Sequence, residues 1–168
     1  MTDQRPEPPD QGDERTILTS FLDWQRATLA YKCAGLDHAQ LRERAVPPSN
    51  LTLLGLVRHM AEVERGWFQR TLAGTDAPPI YYTEADRDGD FDHVETADVD
   101  EAFATWQAQC ERSREIVAGT PTLDATGRNR HGREVSLRWI LTHMIEEYAR
   151  HNGHADLLRE RLDGTVGE

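Results

Sequence analysis

Four stretches of this chain repeat apolar residues every three or four positions, and this spacing restricts the fold more than any other feature. The stretches cover residues 15–34, 51–74, 100–118 and 136–162. Apolar residues at that spacing form one face of an α-helix. Helices of about 20 residues with one apolar face each pack as a four-helix bundle, and no alternating β pattern competes. The sequence therefore predicts an all-α four-helix bundle with one tryptophan on each helix: Trp24, Trp67, Trp106 and Trp139.

The connections between these stretches indicate how the helices are joined. The segment Pro-Pro-Ser-Asn at 47–50 precedes the second stretch, and Gly35 and Gly164 follow the first and the last. These are typical helix start and stop signals. A short polar turn of helix is expected over residues 37–44. The connection between helices 2 and 3 is about 25 residues, which is long for a bundle and predicts an overhand crossover rather than a hairpin.

The crossover is rich in acidic residues and raises the question of a calcium site. The run from Asp86 to Asp92 alternates acids as a calcium-binding EF-hand loop does, but such a loop needs glycine at its sixth position and glutamate at its twelfth. Phe91 and Ala97 occupy those positions. The sequence therefore favours a solvated acidic crossover without calcium.

Length and charge limit the remaining possibilities. The 168 residues suit one domain, with residues 15–165 as the bundle and residues 1–14 as a disordered, acidic, proline-rich tail. Nineteen Lys and Arg against thirty Asp and Glu give a net charge of −11, which disfavours nucleic acids and anionic membrane surfaces as partners. No apolar run reaches the roughly 20 residues that span a bilayer, and no signal-peptide pattern opens the chain. We therefore expect a cytoplasmic protein, with Cys33 and Cys110 as reduced, buried thiols.

Helix 4 carries the pattern that could support chemistry. On a helical wheel, His151 falls within the apolar stripe and Glu147, four residues earlier, falls at its edge, so both side chains point into the bundle. A carboxylate and an imidazole so placed can hold one cation, as in the helical two-ligand motifs of zinc enzymes. A third ligand must come from another helix, and His59 is the only histidine on helix 2. His143 and His154 lie about one turn from Glu147 and could replace it.

This candidate set leaves two interpretations open. Two nitrogens and one oxygen with an open fourth position suit zinc and similar metals and are typical of a reacting site. Alternatively, His59 and the Glu147–His151 pair are structural residues that form hydrogen bonds.

Glu64 lies toward the apolar side of helix 2, which predicts a buried carboxylate. It would pair with Arg26 of helix 1 or an arginine of helix 4, or else line the metal pocket.

The chain resembles the DinB-like (DinB/YfiT) superfamily of metal-binding four-helix bundles in two segments, LTLLGLVRHMAEVERGWF and WILTHMIEEYARHNGHADLLRERLDG. The resemblance spans residues 15–165 and is strongest to the branch of mycothiol-dependent transferases and the mycothiol-dependent maleylpyruvate isomerase. In that superfamily, one histidine of helix 2 and two residues four apart on helix 4 hold a divalent metal. The resemblance therefore implies His59, Glu147 and His151 as metal ligands, with Glu147 matching the Glu-x-x-x-His variant of the isomerase.

The resemblance also implies a function. It is a metal-dependent S-transferase that joins mycothiol or a similar low-molecular-weight thiol to a small electrophile. Zinc is the expected metal, with nickel, iron and manganese as alternatives. His154 or His143 would orient a ligand or move a proton. Three other functions stay open: a metal-dependent hydrolase on the same site, a non-catalytic bundle that binds a metal or a small molecule, and a metal-free structural protein. Bundles of this type often pair, so a homodimer is also possible.

Overall fold

The computed structural model describes residues 5–167 and confirms the all-α class. Within those residues the helices are α1 (Glu14–Cys33), α2 (His38–Arg42), α3 (Leu53–Glu64), α4 (Gly89–Asp92), α5 (Val99–Gly119) and α6 (Leu137–Asp163). A π-helical segment, Arg65–Leu72, continues α3 directly. A hairpin of two short strands, β1 (Thr126–Arg128) and β2 (Glu134–Ser136), precedes α6.

The long helices begin at capping residues that the sequence supplies. In each, one side chain accepts a hydrogen bond from a first-turn amide: Asp13, Thr52, Asp98 and Ser136 for α1, α3, α5 and α6. Each cap satisfies an N–H that the helix itself leaves unpaired. Gly164 caps the C-terminal end of α6, and its φ of +80° favours glycine. The predicted helix ends agree with these bounds to within two residues.

Side-chain contacts define the directions of the long helices. α1 and α6 run parallel, and both α3 and α5 run antiparallel to them. Six contacts give these directions: Glu14–Arg138 and Lys32–Asp156, His59–His151 and Trp67–Trp139, and Arg15–Val117 and Asp23–Arg114. α3 and α5 are therefore parallel to each other, so the chain between them must return along the length of the bundle. The predicted overhand crossover is confirmed.

The crossover is partly buried, which corrects the expectation of a solvated acidic segment. α4 lies within it and places Asp90, which is 4% exposed, against α3. The buried Arg58 of α3 donates to the backbone carbonyl of Asp90 at 2.9 Å. The buried Glu62 of α3 accepts hydrogen bonds from the backbone amides of Ile80 and Tyr81. These contacts join residues that are far apart in the sequence, so no local sequence pattern predicts them.

The hairpin also differs from the sequence prediction, which expects no strand. β1 and β2 pair antiparallel, with Gly127 opposite Val135. Gly127 lies so close to the π-helical segment that a Cβ atom there would come within 2.0 Å of the carbonyl oxygen of Thr71. Strands of three residues are too short to show the alternation over four to eight residues from which strands are predicted.

The centre of the bundle contains a buried polar network. Glu64 has 0% of its surface exposed, and both of its carboxylate oxygens accept hydrogen bonds from Arg26 at 2.8 Å. Tyr148 donates to the same carboxylate at 2.8 Å and accepts from the indole N–H of Trp106 at 2.9 Å. Burial lowers the pKa of Arg26, but the facing carboxylate outweighs it and raises that pKa well above its usual value. The prediction that Glu64 is buried and paired with Arg26 is confirmed.

Residues 5–13 precede α1 and contact it. The guanidinium of Arg5 donates to the hydroxyl of Thr28 at 2.9 Å and lies 4.3 Å from the ring centroid of Trp24. Residues 1–4 of the predicted disordered tail lie outside the described residues, so the disorder of that tail stays a prediction. Among residues 5–167, no helix is both long and apolar enough to cross a membrane.

Candidate metal centre

Three predicted ligand side chains lie together between α3 and α6. His59 comes from the second turn of α3, and Glu147 and His151 come from the middle of α6. One donor atom of each lies within 4.8 Å of the other two: an imidazole nitrogen of each histidine and a carboxylate oxygen of Glu147. All three residues are half-buried. The site therefore lies at the edge of the core, where a small molecule can reach it.

Helix geometry explains why these residues meet. Glu147 and His151 are four residues apart, so their side chains stack along one face of α6. α3 runs antiparallel to α6 and places His59 opposite them, with its ring centroid 4.7 Å from that of His151. Met60 and Tyr148, the sequence neighbours of His59 and Glu147, are fully buried, and the hydrogen bond from Tyr148 to Glu64 joins α6 to α3.

Glu147 provides the negative charge of the group. Its Oε2 lies 3.6 Å from Nε2 of His151, and its Oε1 lies 3.3 Å from Nε2 of His143. The interaction with His151 lowers the pKa of Glu147, and the nearby His143 and His59 act in the same direction, whereas burial opposes them. Glu147 is therefore an ionised carboxylate at neutral pH and suits a cation.

The carboxylate of Asp90 contacts the Nδ1 atom of His59. Its Oδ2 lies 2.8 Å from Nδ1 of His59, and its Oδ1 accepts the backbone N–H of Phe91 at 3.1 Å. Because a carboxylate only accepts, this contact places a proton on Nδ1, which in a neutral imidazole leaves the lone pair of Nε2 for a metal. The ring of Phe91 stacks on His59 with centroids 4.8 Å apart. A carboxylate behind a ligating histidine is the usual support of a metal site.

Sequence reasoning did not find Asp90. It belongs to a run of acidic residues with no helical or alternating period, and nothing in that run separates it from its exposed neighbours Asp88 and Asp92. Only the fold distinguishes it, because α4 turns this one side chain toward α3. Which acidic side chain reaches His59 can be predicted only when the course of the crossover through the structure is known.

The other two predicted site residues flank the group without belonging to it. Nδ1 of His154 lies 3.3 Å from Nδ1 of His151. Burial, together with His151 and Arg150, lowers the pKa of His154, which favours its neutral form. His143 lies on the opposite side of Glu147, and its Nδ1 is 3.1 Å from a carboxylate oxygen of Glu146.

The three donors fit a divalent transition metal. Two imidazole nitrogens and one carboxylate oxygen are the ligand types that zinc and its neighbours accept, and three protein ligands leave a position open for another molecule. Donor atoms that each lie about 2 Å from one tetrahedral ion are about 3.3 Å apart, so the three donors, which are up to 4.8 Å apart here, would draw together by side-chain rotation when they bind one ion. The support of His59 by Asp90 adds the outer contact that such sites usually have.

One protein family matches most of the chain. The family model described as Mycothiol-S-transferase matches residues 17–164 of the chain. The chain belongs to the mycothiol-S-transferase family. This match confirms the resemblance to the mycothiol branch of the DinB-like proteins, and the family name indicates a transferase. No curated protein and no solved structure gives a significant match.

Proposed function

We propose that this member of the mycothiol-S-transferase family is a metal-dependent enzyme that joins the thiol sulfur of mycothiol to a small electrophile. His59, Glu147 and His151 would hold the metal. The observation that supports this most is the grouping of their donor atoms within 4.8 Å, inside the region that the family model matches. Two nitrogens, one oxygen and an open position are what a reacting metal site requires.

The side chains around the site have separate tasks in this proposal. A divalent cation bound there would supply Lewis acidity and favour the thiolate form of a thiol. Asp90 keeps His59 in the tautomer with a free Nε2 and fixes the orientation of its ring. His143 and His154 flank the group on either side, where they can take the proton of the thiol or return one to a leaving group.

The cysteines of the chain do not provide the nucleophile. Cys33 and Cys110 are each 4% exposed. Burial raises the pKa of Cys33 to about 12. Burial also raises the pKa of Cys110, and the nearby Glu64 carboxylate raises it further. Because the thiolate is the reactive form, we expect both thiols to be unreactive at neutral pH, which supports a co-substrate as the source of the sulfur.

We infer zinc as the metal, because two histidines and one glutamate are a frequent zinc set. Nickel, iron and manganese accept the same donors and stay alternatives. Mycothiol and one small electrophile are the expected partners. The two free cysteines suit a reducing compartment such as the cytoplasm. A homodimer stays a prediction.

The test is formation of the conjugate by the purified, zinc-supplied protein. Mycothiol and a thiol-reactive dye are incubated with wild type, with His151→Ala and with His131→Ala, a variant of an exposed histidine in the hairpin loop. We expect wild type and His131→Ala to form the conjugate, identified by mass, and His151→Ala to fall to the background rate. Metal binding without conjugate would indicate a non-catalytic bundle. Thiol-independent cleavage of esters would indicate a hydrolase.

A further inference from the structure

The rings of two tryptophans and of His143 form a cluster, and the proposed function gives the tryptophans no role. Trp67 of the π-helical segment and Trp139 of the first turn of α6 have ring centroids 5.1 Å apart. The ring of His143 lies 4.8 Å from each of them, stacked on Trp139 at an interplanar angle of 22° and edge-on to Trp67 at 74°. We call Trp67, Trp139 and His143 the aromatic cluster.

The aromatic cluster lies at the surface. Trp139 is 42% exposed, and Trp67 and His143 are half-buried. The other two tryptophans have structural partners: Trp106 is 3% exposed and donates to Tyr148, and Trp24 faces the guanidinium of Arg5. Grouped aromatic rings that are partly exposed offer a ligand apolar surface to bury.

The aromatic cluster adjoins the candidate metal centre. Trp139, His143, Glu147 and His151 follow one another at intervals of four residues and form one row along α6. Nε2 of His143 lies 3.3 Å from Oε1 of Glu147. His143 is therefore part of both groups, so a molecule stacked on the cluster lies next to the metal ligands.

We propose that the aromatic cluster is the subsite for the electrophile and that it takes a neutral, flat, electron-poor aromatic molecule. This inference rests on the proposed function. The face of an indole ring is electron-rich, and an electron-poor ring stacks on it in an offset geometry. Glu146 and Glu147 both face His143, at 3.1 Å and 3.3 Å. Their charge disfavours an anionic molecule at this place.

The backbone holds Trp67 in its position. The π-helical segment packs against β1, where Gly127 allows the carbonyl of Thr71 to come close. A π-helical turn within a helix is frequently found at functional sites. The hairpin and the π-helical segment, both absent from a plain bundle, therefore lie on the side of the molecule that carries the proposed subsite.

With an aryl chloride as electrophile, the transfer is a nucleophilic aromatic substitution. The thiol first loses its proton to water. The thiolate sulfur then forms a bond to the ring carbon that carries chlorine, the carbon–chlorine bond breaks, and chloride leaves with the bonding electron pair. No oxidant or reductant takes part. Stacking on the aromatic cluster would hold that carbon in place for the attack.

The first test measures binding without reaction. The full-length, zinc-supplied protein is labelled with ¹⁵N and titrated with 1,3-dinitrobenzene, a neutral flat ring that has no leaving group. The four indole N–H signals are assigned with single Trp→Phe variants. We expect the signals of Trp67 and Trp139 to shift and those of Trp24 and Trp106 to stay. Trp139→Ala should weaken binding by about three- to tenfold, and Trp24→Phe should not. Shifts at other tryptophans, no shift, or unchanged affinity in Trp139→Ala would overturn the proposal.

The second test separates this proposal from the proposed function. Rates of mycothiol conjugation are compared for 1-chloro-2,4-dinitrobenzene and for iodoacetamide, which has no ring. We expect Trp139→Ala to lower kcat/KM for the aryl chloride by about three- to tenfold more than for iodoacetamide. An equal loss with both reagents would contradict a ring-specific subsite. If wild type conjugates neither reagent, the transferase proposal fails, and the indole signals still decide whether the aromatic cluster binds flat rings.

Discussion

Nδ1 of His59 lies 2.8 Å from Oδ2 of Asp90, so a residue of the crossover holds a histidine of the bundle. Asp90 is 4% exposed, and the next residue, Phe91, stacks its ring on the same imidazole. The crossover thus fixes His59 both at its Nδ1 edge and at one face. The geometry of the candidate metal centre therefore depends on three segments, α3, α6 and the crossover, rather than on two helices alone.

Replacing Asp90 should weaken metal binding without removing a ligand. Asp90→Asn keeps the shape of the side chain but loses the charge that holds the Nδ1–H of His59. We expect the affinity for zinc to fall by about 10- to 100-fold, measured by competition with a chromophoric chelator. Asp92→Asn, at an exposed position two residues later, is the control and should bind like wild type. Equal affinities for the two variants would show that Asp90 has no part in the site.

Removing Arg26 should destabilise the fold strongly. Arg26→Leu leaves the fully buried Glu64 carboxylate without its bidentate partner. Loss of one partner of a buried pair costs about 3–5 kcal/mol in the free energy of unfolding, which urea denaturation measures. Arg112→Ala breaks an exposed pair with Glu115 and should cost at most about 1 kcal/mol. Similar losses in both variants would contradict the role assigned to the buried network.

The two cysteines should be unreactive in the folded protein. Both are buried, and burial raises the pKa of both thiols. We expect Ellman's reagent to detect no thiol under native conditions at neutral pH and both thiols after unfolding in guanidinium. Rapid modification of the native protein, together with loss of transferase activity, would instead point to a cysteine nucleophile.

A side chain at Gly127 should separate the hairpin from the π-helical segment. The added Cβ atom of Gly127→Ala would meet the backbone oxygen of Thr71 at 2.0 Å, which the rigid backbone cannot easily avoid. We expect a loss of about 1–3 kcal/mol in the free energy of unfolding. Gly119→Ala is the matched control, because a Cβ there has no neighbour within 4 Å. An unchanged free energy of unfolding in Gly127→Ala would contradict this prediction, because it would mean that the hairpin can shift away from Thr71 without cost.

The helices and the three candidate ligands could be predicted because their signals are local. Apolar spacing marks the helices, and capping residues mark their starts. Glu147 and His151 share a face through the helical repeat alone. Only their meeting with His59 required knowledge beyond the repeat, and the resemblance to a known superfamily supplied it.

The parts that were missed depend on contacts between distant residues. Asp90 has exposed acidic neighbours of the same type, and only the path of the crossover brings it to His59. The hairpin strands have three residues each, too few for a period. The sequence places Trp67 and Trp139 on different helices, but no pattern in it predicts that their rings meet beside His143. In each case the structural role depends on where the fold places the residue, and residue type alone does not predict it.

The most direct test of the central claim is the metal content of the purified, untagged protein. Inductively coupled plasma mass spectrometry is applied to wild type, His151→Ala and His131→Ala after zinc has been supplied and the excess removed. The account predicts about one divalent metal ion per chain in wild type and in His131→Ala, and loss of the ion in His151→Ala. No metal in wild type, or full occupancy in a folded His151→Ala, would contradict it.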